Sequence, residues 1–177
     1  MKQFISRWNL LFLIGLSLLA QADILPKVTE KNGCKVANIT PQKDESVSWD
    51  GNCNDGLADG EGTLTWFRQN GKTSIYTGTM VKGYGDGFGR VVSENGVYTG
   101  EWKKGLQHGK GRHDQADGSW YQGEWKDGYP HGRGQMLTPD GQLLNGYWNK
   151  GVPENNGTPL NKGATTTDLN CFSAKAY

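Results

Sequence analysis

The sequence is poor in the apolar residues that fill a thick protein core. Only 34% of its 177 residues are hydrophobic, whereas 27 are glycine. No Gly-X-Y period runs through the chain, which excludes a collagen-like fold. The core must therefore be thin, and the 7 Trp and 7 Tyr residues are the side chains available to build it. This composition favours a single-layer β array over a sandwich of two sheets.

The chain also lacks an excess of charge of either sign. It has 19 basic and 18 acidic residues. The first 22 residues contain Lys2 and Arg7 and no acidic residue, so the remainder has 17 basic residues against 18 acidic ones. A nucleic-acid-binding protein would show a basic stripe. We therefore expect no nucleic acid among the partners.

Long hydrophobic runs are confined to the N-terminus. Lys2 and Arg7 precede an apolar run from Leu10 to Leu19, and Ala20-Gln21-Ala22 supplies the pattern that a signal peptidase cleaves. We predict a signal peptide over residues 1–22, cleaved near Ala22, and an exported protein that is periplasmic or secreted. An uncleaved membrane anchor is the alternative, although the run has about half the length that spans a bilayer.

An internal repeat dominates the rest of the chain. Tyr98–Gly111 and Tyr121–Gly134 share the pattern Tyr-x-Gly-Glu-Trp-Lys-x-Gly-x-x-His-Gly-x-Gly. Looser copies begin at Trp49 and Tyr76, and half a copy begins at Leu144. A repeat of this kind predicts one supersecondary unit that is stacked on itself. We place about four and a half repeats in residues 47–151.

Residues alternate within each copy as in a β-strand. Side chains at i, i+2 and i+4 share a face of a strand, so Tyr98, Gly100 and Trp102 lie together. We expect the glycine between the two rings to leave room for an aromatic ring of the neighbouring hairpin. Turn dipeptides stand where the hairpins reverse: Asn70-Gly71, Asn95-Gly96, Asp117-Gly118 and Asp140-Gly141. The predicted fold is an all-β, elongated single-layer antiparallel array of consecutive β-hairpins.

Alignment of the copies gives columns of residues that should stack from hairpin to hairpin. The large residues expected to form the repeat core are Trp49, Tyr76, Tyr98, Trp102, Tyr121, Trp125 and Trp148. Where packing leaves their edges open, we expect them to form a protein-interaction face, because such rings commonly anchor interfaces. On the returning strands, a further column holds Leu64, Val91, His113 and Met136.

The repeated pattern resembles the MORN repeat (membrane occupation and recognition nexus). Tyr98–Gly118 and Tyr121–Gly141 match it almost throughout, and Tyr76–Gly96 has Met80 in place of Trp and Asp86 in place of His. The resemblance implies an elongated antiparallel β array that serves in protein scaffolding, self-association and phospholipid contact. With the predicted signal peptide, the chain is similar to an exported bacterial member of the family.

The cysteines connect the repeats to the segment before them. Residues 23–46 are a lead-in in which Cys34–Ile39 is predicted to be a strand that caps the open edge of the first repeat. Three single disulfides are possible among Cys34, Cys53 and Cys171. Because Cys53 occupies the column position of Trp102, its side chain is expected to face inward, toward the lead-in. This register favours a Cys34–Cys53 disulfide.

The segment after the repeats lacks their pattern. Residues 152–177 contain turn residues and a stretch of low complexity, Ala164-Thr-Thr-Thr-Asp168. We predict a mostly irregular C-terminal tail.

Two motifs invite a chemical interpretation that the repeat explains more simply. His108 and His131 share a column with Asp59 and Asp86, but its successive members lie about 10 Å apart, too far for one zinc ion. Gly83–Gly89 resembles a phosphate-binding loop, yet its four glycines all fall in repeat columns. Glu101 and Glu124 are predicted on the solvated face opposite the aromatic rings. We therefore predict no catalytic, metal or cofactor-binding residues.

The most consistent hypothesis is a non-enzymatic repeat scaffold that presents its β array for protein–protein interaction in the cell envelope. The partner is an unidentified protein or a second copy of the chain. A phospholipid-binding module with weak membrane contact is the alternative, although residues 98–151 mix seven basic with six acidic residues. An enzyme of unrecognised type ranks third.

Overall fold

A computed structural model describes residues 27–28, 33–37, 45–68, 70–71 and 73–159. The predicted signal peptide, Cys171 and residues 38–39 of the predicted lead-in strand lie outside these residues. Every regular element in the described part is a β-strand. Numbered along the chain, the strands are β1 Lys27–Val28, β2 Lys35–Val36, β3 Glu45–Trp49, β4 Cys53–Asn54, β5 Leu57–Ala58, β6 Gly60–Arg68, β7 Thr73–Val81, β8 Tyr84–Ser93, β9 Gly96–Lys103, β10 Leu106–Gln115, β11 Trp120–Lys126, β12 Tyr129–Leu137, β13 Leu143–Asn149 and β14 Val152–Pro159.

Ten strands form one antiparallel sheet that follows the order of the chain. The sheet runs from β3 through β6, β7, β8, β9, β10, β11, β12 and β13 to β14. Each strand therefore pairs with the next one along the array, as in a series of hairpins. The predicted all-β array of consecutive hairpins is confirmed.

The register places the repeat columns side by side across this sheet. Tyr98 pairs with Val91 on one side and with His113 on the other, and Tyr121 pairs with His113 and Met136. A glycine column crosses the sheet in the same way: Gly78, Gly89, Gly100, Gly111, Gly123, Gly134 and Gly146. We call the face that carries the tyrosines the inner face and the opposite one the outer face.

Two-residue turns join the strands along one side of the array. Both turn residues have positive φ, for example 50° at Lys104 and 80° at Gly105. These are the signs of a type I′ turn, whose twist matches that of the flanking strands. The amide of Gly105 also donates a hydrogen bond to the carbonyl of Gly85, at 2.8 Å. Neighbouring turns are thus bonded to one another, and we call this side the turn edge.

The N-terminal residues belong to a second, four-stranded sheet with the order β1-β2-β5-β4. β2 pairs in parallel with β5 and does not cover the edge of β3. The prediction that the lead-in strand pairs with the first strand of the array is therefore wrong. Cys34 and Val36 are instead buried in one cluster with Val47 and Trp49. The lead-in closes this end of the core by side-chain packing. The array itself begins at Glu45, two residues before the predicted start.

A disulfide joins Cys34 to Cys53, with their Cα atoms 5.7 Å apart, which confirms the predicted pairing. The side chain of Cys53 is exposed, however, so the prediction that it faces inward is wrong. The chain leaves the large sheet after Trp49, whose indole N–H donates to the carbonyl of Asn52 at 2.8 Å. Cys53 therefore lies in the small sheet, outside the column that the repeat assigned to it.

The large sheet extends beyond the last recognisable repeat. β14 pairs with β13 between Asn149–Val152 and Leu144–Pro159, so the prediction of an irregular tail is wrong for these eight residues. The last turn repeats the earlier geometry, with φ of 48° at Lys150 and 81° at Gly151. Because the edge of β13 offers unpaired backbone groups, a strand that returns from this turn can pair with it. Residues 160–177 lie outside the described part.

Candidate functional site

The aromatic residues predicted to form an interaction face are mostly buried. At most 6% of the surface is exposed in Trp49, Tyr76, Tyr98, Tyr121, Trp125 and Trp148. Trp102 is partly buried against the same rings. These residues form the core of the array, as their columns predict, but the six buried rings do not offer open edges to a partner. A contact surface must be sought elsewhere.

The inner-face rings form a continuous chain of edge-to-face contacts. Trp102 lies between Tyr76 and Tyr98, and Trp125 lies between Tyr98 and Tyr121, with all four centroid distances at 5.1–5.2 Å. This is the preferred geometry of aromatic pairs. Each tryptophan therefore bridges two successive hairpins.

Hydrogen bonds fix the polar atoms of these rings. The hydroxyl of Tyr98 donates to the carbonyl of Glu101 at 2.9 Å, and the indole N–H of Trp125 donates to the carbonyl of Gly111 at 3.1 Å. Burial raises the pKa of Tyr76, Tyr98 and Tyr121 above the ordinary tyrosine value, so the hydroxyls remain protonated donors. The polar atoms of these rings are therefore used in stabilising the fold.

The glycine column gives these tyrosines their space. A Cβ atom on Gly111 would lie 2.7 Å from Cε2 of Tyr98, closer than packing allows. The glycine named in the prediction, Gly100, shares β9 with Tyr98, and a Cβ atom there would lie 2.7 Å from the hydroxyl oxygen of Tyr98. The predicted use of this space by a ring of the neighbouring hairpin is therefore wrong. The neighbouring hairpin instead contributes Trp125, whose indole N–H donates to the carbonyl of Gly111.

A groove of about 180 Å³ opens on the inner face in the N-terminal half of the array. Its buried floor consists of Leu64, Tyr76, Met80 and the partly buried Val91. Its aromatic walls are Trp66, Tyr84 and Trp102. Neither Trp66 nor Tyr84 belongs to a predicted column, so column analysis missed both. The signal for Trp66 is an aromatic residue where the later repeats have Ser93, Gln115 and Thr138, and the signal for Tyr84 is its place directly after the turn glycine Gly83.

Polar side chains line the same groove near the ends of β3 and β6. Glu45 is 8% exposed and Ser74 is 9% exposed. Glu45 and Arg68 are partners in the register of β3 and β6. The Nε atom of Arg68 is buried and has no hydrogen-bond partner among the described residues. The groove therefore combines an apolar floor with a donor that lacks an acceptor.

The lead-in supplies another wall of the groove. Ala37 lines it beside the turn residue Gly83, and the amide of Ala37 donates to the carbonyl of Gly83 at 2.8 Å. The Cys34–Cys53 disulfide holds this part of the chain against the array. The groove is thus formed jointly by the repeats and by the segment that precedes them.

The Asp and His residues of one predicted column have a structural role at the turn edge. A carboxylate oxygen of Asp59 accepts from the amide of Lys82 at 3.1 Å, and one of Asp86 accepts from that of Lys104 at 3.2 Å. His108 lies at the next position, with Nδ1 3.8 Å from a carboxylate oxygen of Asp127. No group of three or more potential metal ligands occurs among the described residues.

Lysine residues concentrate on the turn edge. The five tips at 54–57, 81–84, 103–106, 126–129 and 149–152 carry Lys82, Lys103, Lys104, Lys126 and Lys150 against Asp55 and Asp127, and the carboxylates of Asp59 and Asp86 lie beside two of them. The residue after each turn glycine is apolar: Leu57, Tyr84, Leu106, Tyr129 and Val152. More than half of the surface of Tyr129 and Val152 is exposed.

No helix that could cross a bilayer occurs in the described ranges.

Comparison with known proteins identifies the repeat. The family model described as "MORN repeat" matches residues 49–70, 98–120 and 121–143. The hairpin between the first two matches, which contains Met80, carries the same columns in the sheet. No curated protein matches the chain.

Proposed function

The chain is a MORN-repeat protein, and we propose that it is a non-enzymatic scaffold that binds a protein partner in the cell envelope. MORN repeats are generally protein-interaction or membrane-binding modules and are typically non-enzymatic. The observation that carries the proposal is the inner-face groove, with its apolar floor and its walls of Trp66, Tyr84 and Trp102. Aromatic side chains at a well-packed concave site are the groups that dominate binding energy in protein interfaces.

The location in the envelope is part of this proposal. Residues 1–22 have the sequence features of a signal peptide. The Cys34–Cys53 disulfide supports export, because such bonds persist in oxidising compartments such as the periplasm. A periplasmic or secreted protein would meet its partner outside the cytoplasm.

The test is affinity capture of the tagged protein from the envelope fraction of its native cells. We expect a protein partner to be recovered in a fixed ratio and to survive washing with high salt, because the groove buries apolar surface, which salt does not screen. A tagged chain with the groove residue Trp66 changed to Ala is the control. Equal recovery by both chains would contradict a role for the groove, and a chain found only in the cytoplasm would contradict the location.

Phospholipid binding is the second candidate, and the lysine-rich turn edge is the observation that favours it. Anionic membranes attract basic residues by about 1 kcal/mol for each residue near the surface. Flotation with anionic and with neutral liposomes, run beside the capture experiment, separates the candidates. Salt-sensitive flotation with anionic liposomes, together with no captured protein, would replace the scaffold proposal with membrane binding.

A further inference from the structure

We propose that the groove recognises an extended polypeptide segment by one large apolar side chain and by a backbone carbonyl group beside it. This inference rests on the proposed function and names the chemistry of the partner at the same site.

The groove exists where the tryptophan column of the array is interrupted. In the later hairpins this column holds Trp102, Trp125 and Trp148, and each ring packs against the tyrosine of the preceding hairpin. The second hairpin has Met80 at this position, and Met80 lies in the floor of the groove. A methionine side chain is narrower than an indole and adapts its shape to a neighbour. The missing ring therefore leaves space that an apolar side chain of a partner can fill.

The size and the lining of the groove suit a single side chain. The volume of about 180 Å³ is smaller than the 300–1,000 Å³ that is typical of sites for whole small molecules. The floor is apolar, and rings of Trp66, Tyr84 and Trp102 surround it. A leucine or phenylalanine side chain would bury its surface against these groups without leaving a polar atom unpaired.

Arg68 is the reason for the second part of the proposal, the backbone carbonyl group. Its Nε atom is buried and finds no acceptor in the described part of the chain. A buried donor without a partner destabilises the free protein, so a ligand that supplies an oxygen atom is favoured. In a polypeptide, a backbone carbonyl accompanies every side chain. An inorganic anion would supply an acceptor but leave the floor empty.

The lead-in makes the site specific to this chain. Ala37 completes one wall, and the adjoining disulfide from Cys34 to Cys53 fixes it in place. A repeat array without this segment would leave that side of Met80 open. The groove is therefore bounded by features that lie outside the regular repeat.

The test is a nuclear magnetic resonance titration of the purified, oxidised protein with blocked amino acids. N-acetyl-phenylalaninamide and N-acetyl-leucinamide combine an apolar side chain with amide carbonyl groups. We expect saturable shifts of the indole N–H signals of Trp66 and Trp102 and of the Arg68 Nε–H signal. N-acetyl-lysinamide should produce no such shifts. Equal shifts with the lysine compound, or none with the apolar ones, would overturn the inference.

Paired tryptophan variants locate the binding. Met80→Trp restores the column ring and fills the groove, so affinity for N-acetyl-phenylalaninamide should fall by about tenfold or more, or about 1.4 kcal/mol. Val81→Trp adds the same ring one residue away on the outer face, where Val81 is 43% exposed, and should leave affinity unchanged. Equal affinity in the Met80→Trp protein would overturn the inference.

Arg68→Met tests the carbonyl requirement separately. It should weaken binding of the blocked amino acids while leaving the floor intact. It also serves if Met80→Trp fails to fold, and unchanged affinity in Arg68→Met would contradict the requirement for a carbonyl group. Binding of the apolar probes without capture of any envelope protein would support the groove chemistry and count against the scaffold. Capture that persists in Met80→Trp would support the scaffold and overturn the inference.

Discussion

Single residues in the inner-face columns determine how the thin core of the array is packed. Tyr98 stands between Val91 and His113 in the register, and its hydroxyl bonds to the carbonyl of Glu101. His113 occupies a position where other hairpins place Leu64, Val91 or Met136. It is therefore a titratable group in an otherwise apolar column.

We predict that His113 makes the fold sensitive to acid. Burial lowers the pKa of His113, and the neighbouring Asp114 opposes this effect only in part. A lowered folded-state pKa means that the unfolded chain binds more protons below about pH 6.5, so stability falls as pH falls through the folded-state pKa. His113→Leu should remove this contribution. The measurement is the urea midpoint of both proteins from about pH 7 to about pH 5.

The control for this prediction is Met136→Leu, which changes another residue of the same column and removes no titratable group. It should keep the acid sensitivity of the unmodified protein. Identical pH profiles of the His113→Leu and unmodified proteins would contradict the assignment.

Sequence reasoning at the residue scale succeeded where one repeat rule decides the outcome. Alternation and period assigned Tyr98, Gly111 and His113 to the correct face. Sequence reasoning did not foresee that the ring edges would be buried or that the Nε donor of Arg68 would lack an acceptor. Both depend on neighbours from strands far apart in sequence.

Among the elements, the lead-in and the first hairpin depart most from the repeat. The chain leaves the large sheet after β3, forms β4 and β5 beside β2, and rejoins the array in β6. The repeat columns could not predict this path through the small sheet, because the alignment of the columns treats every copy as the same complete hairpin. The Cys34–Cys53 pairing was predicted from a register in which Cys53 replaces a large column residue. The pairing is right, but this reason is wrong, because Cys53 is exposed and lies in the small sheet.

We predict that the Cys34–Cys53 disulfide stabilises the N-terminal end of the array. It closes a loop between residues 19 positions apart, a constraint on the unfolded chain that contributes about 3 kcal/mol. In a repeat array each unit contacts mainly its neighbours, so reduction should act locally. Amide hydrogen exchange should accelerate in β2, β6 and β7 and remain unchanged in β11 to β13.

Thiol labelling provides the control for this prediction. The native protein should show one reactive thiol, at Cys171, and three after reduction. Labelling of Cys53 in the native protein would contradict the pairing. Uniform acceleration of exchange across the sheet would contradict a local role.

On the scale of the whole molecule, the array separates stability from recognition. The ring chain from Tyr76 to Trp148 holds the hairpins together and leaves no open edge at its buried rings. The interruption at Met80 and the wall added by the lead-in create the groove. The period of the sequence predicted the array, whereas the groove arises from departures from that period and became visible only in three dimensions.

The measurement that tests this account most directly is affinity capture from the native envelope with the Met80→Trp and Val81→Trp proteins in parallel. Both variants must first show the unfolding midpoint expected of a folded array. We predict that the unmodified and Val81→Trp proteins recover the same partner and that Met80→Trp loses it. Recovery of that partner by all three proteins would contradict the claim that the groove opened by Met80 is the recognition site.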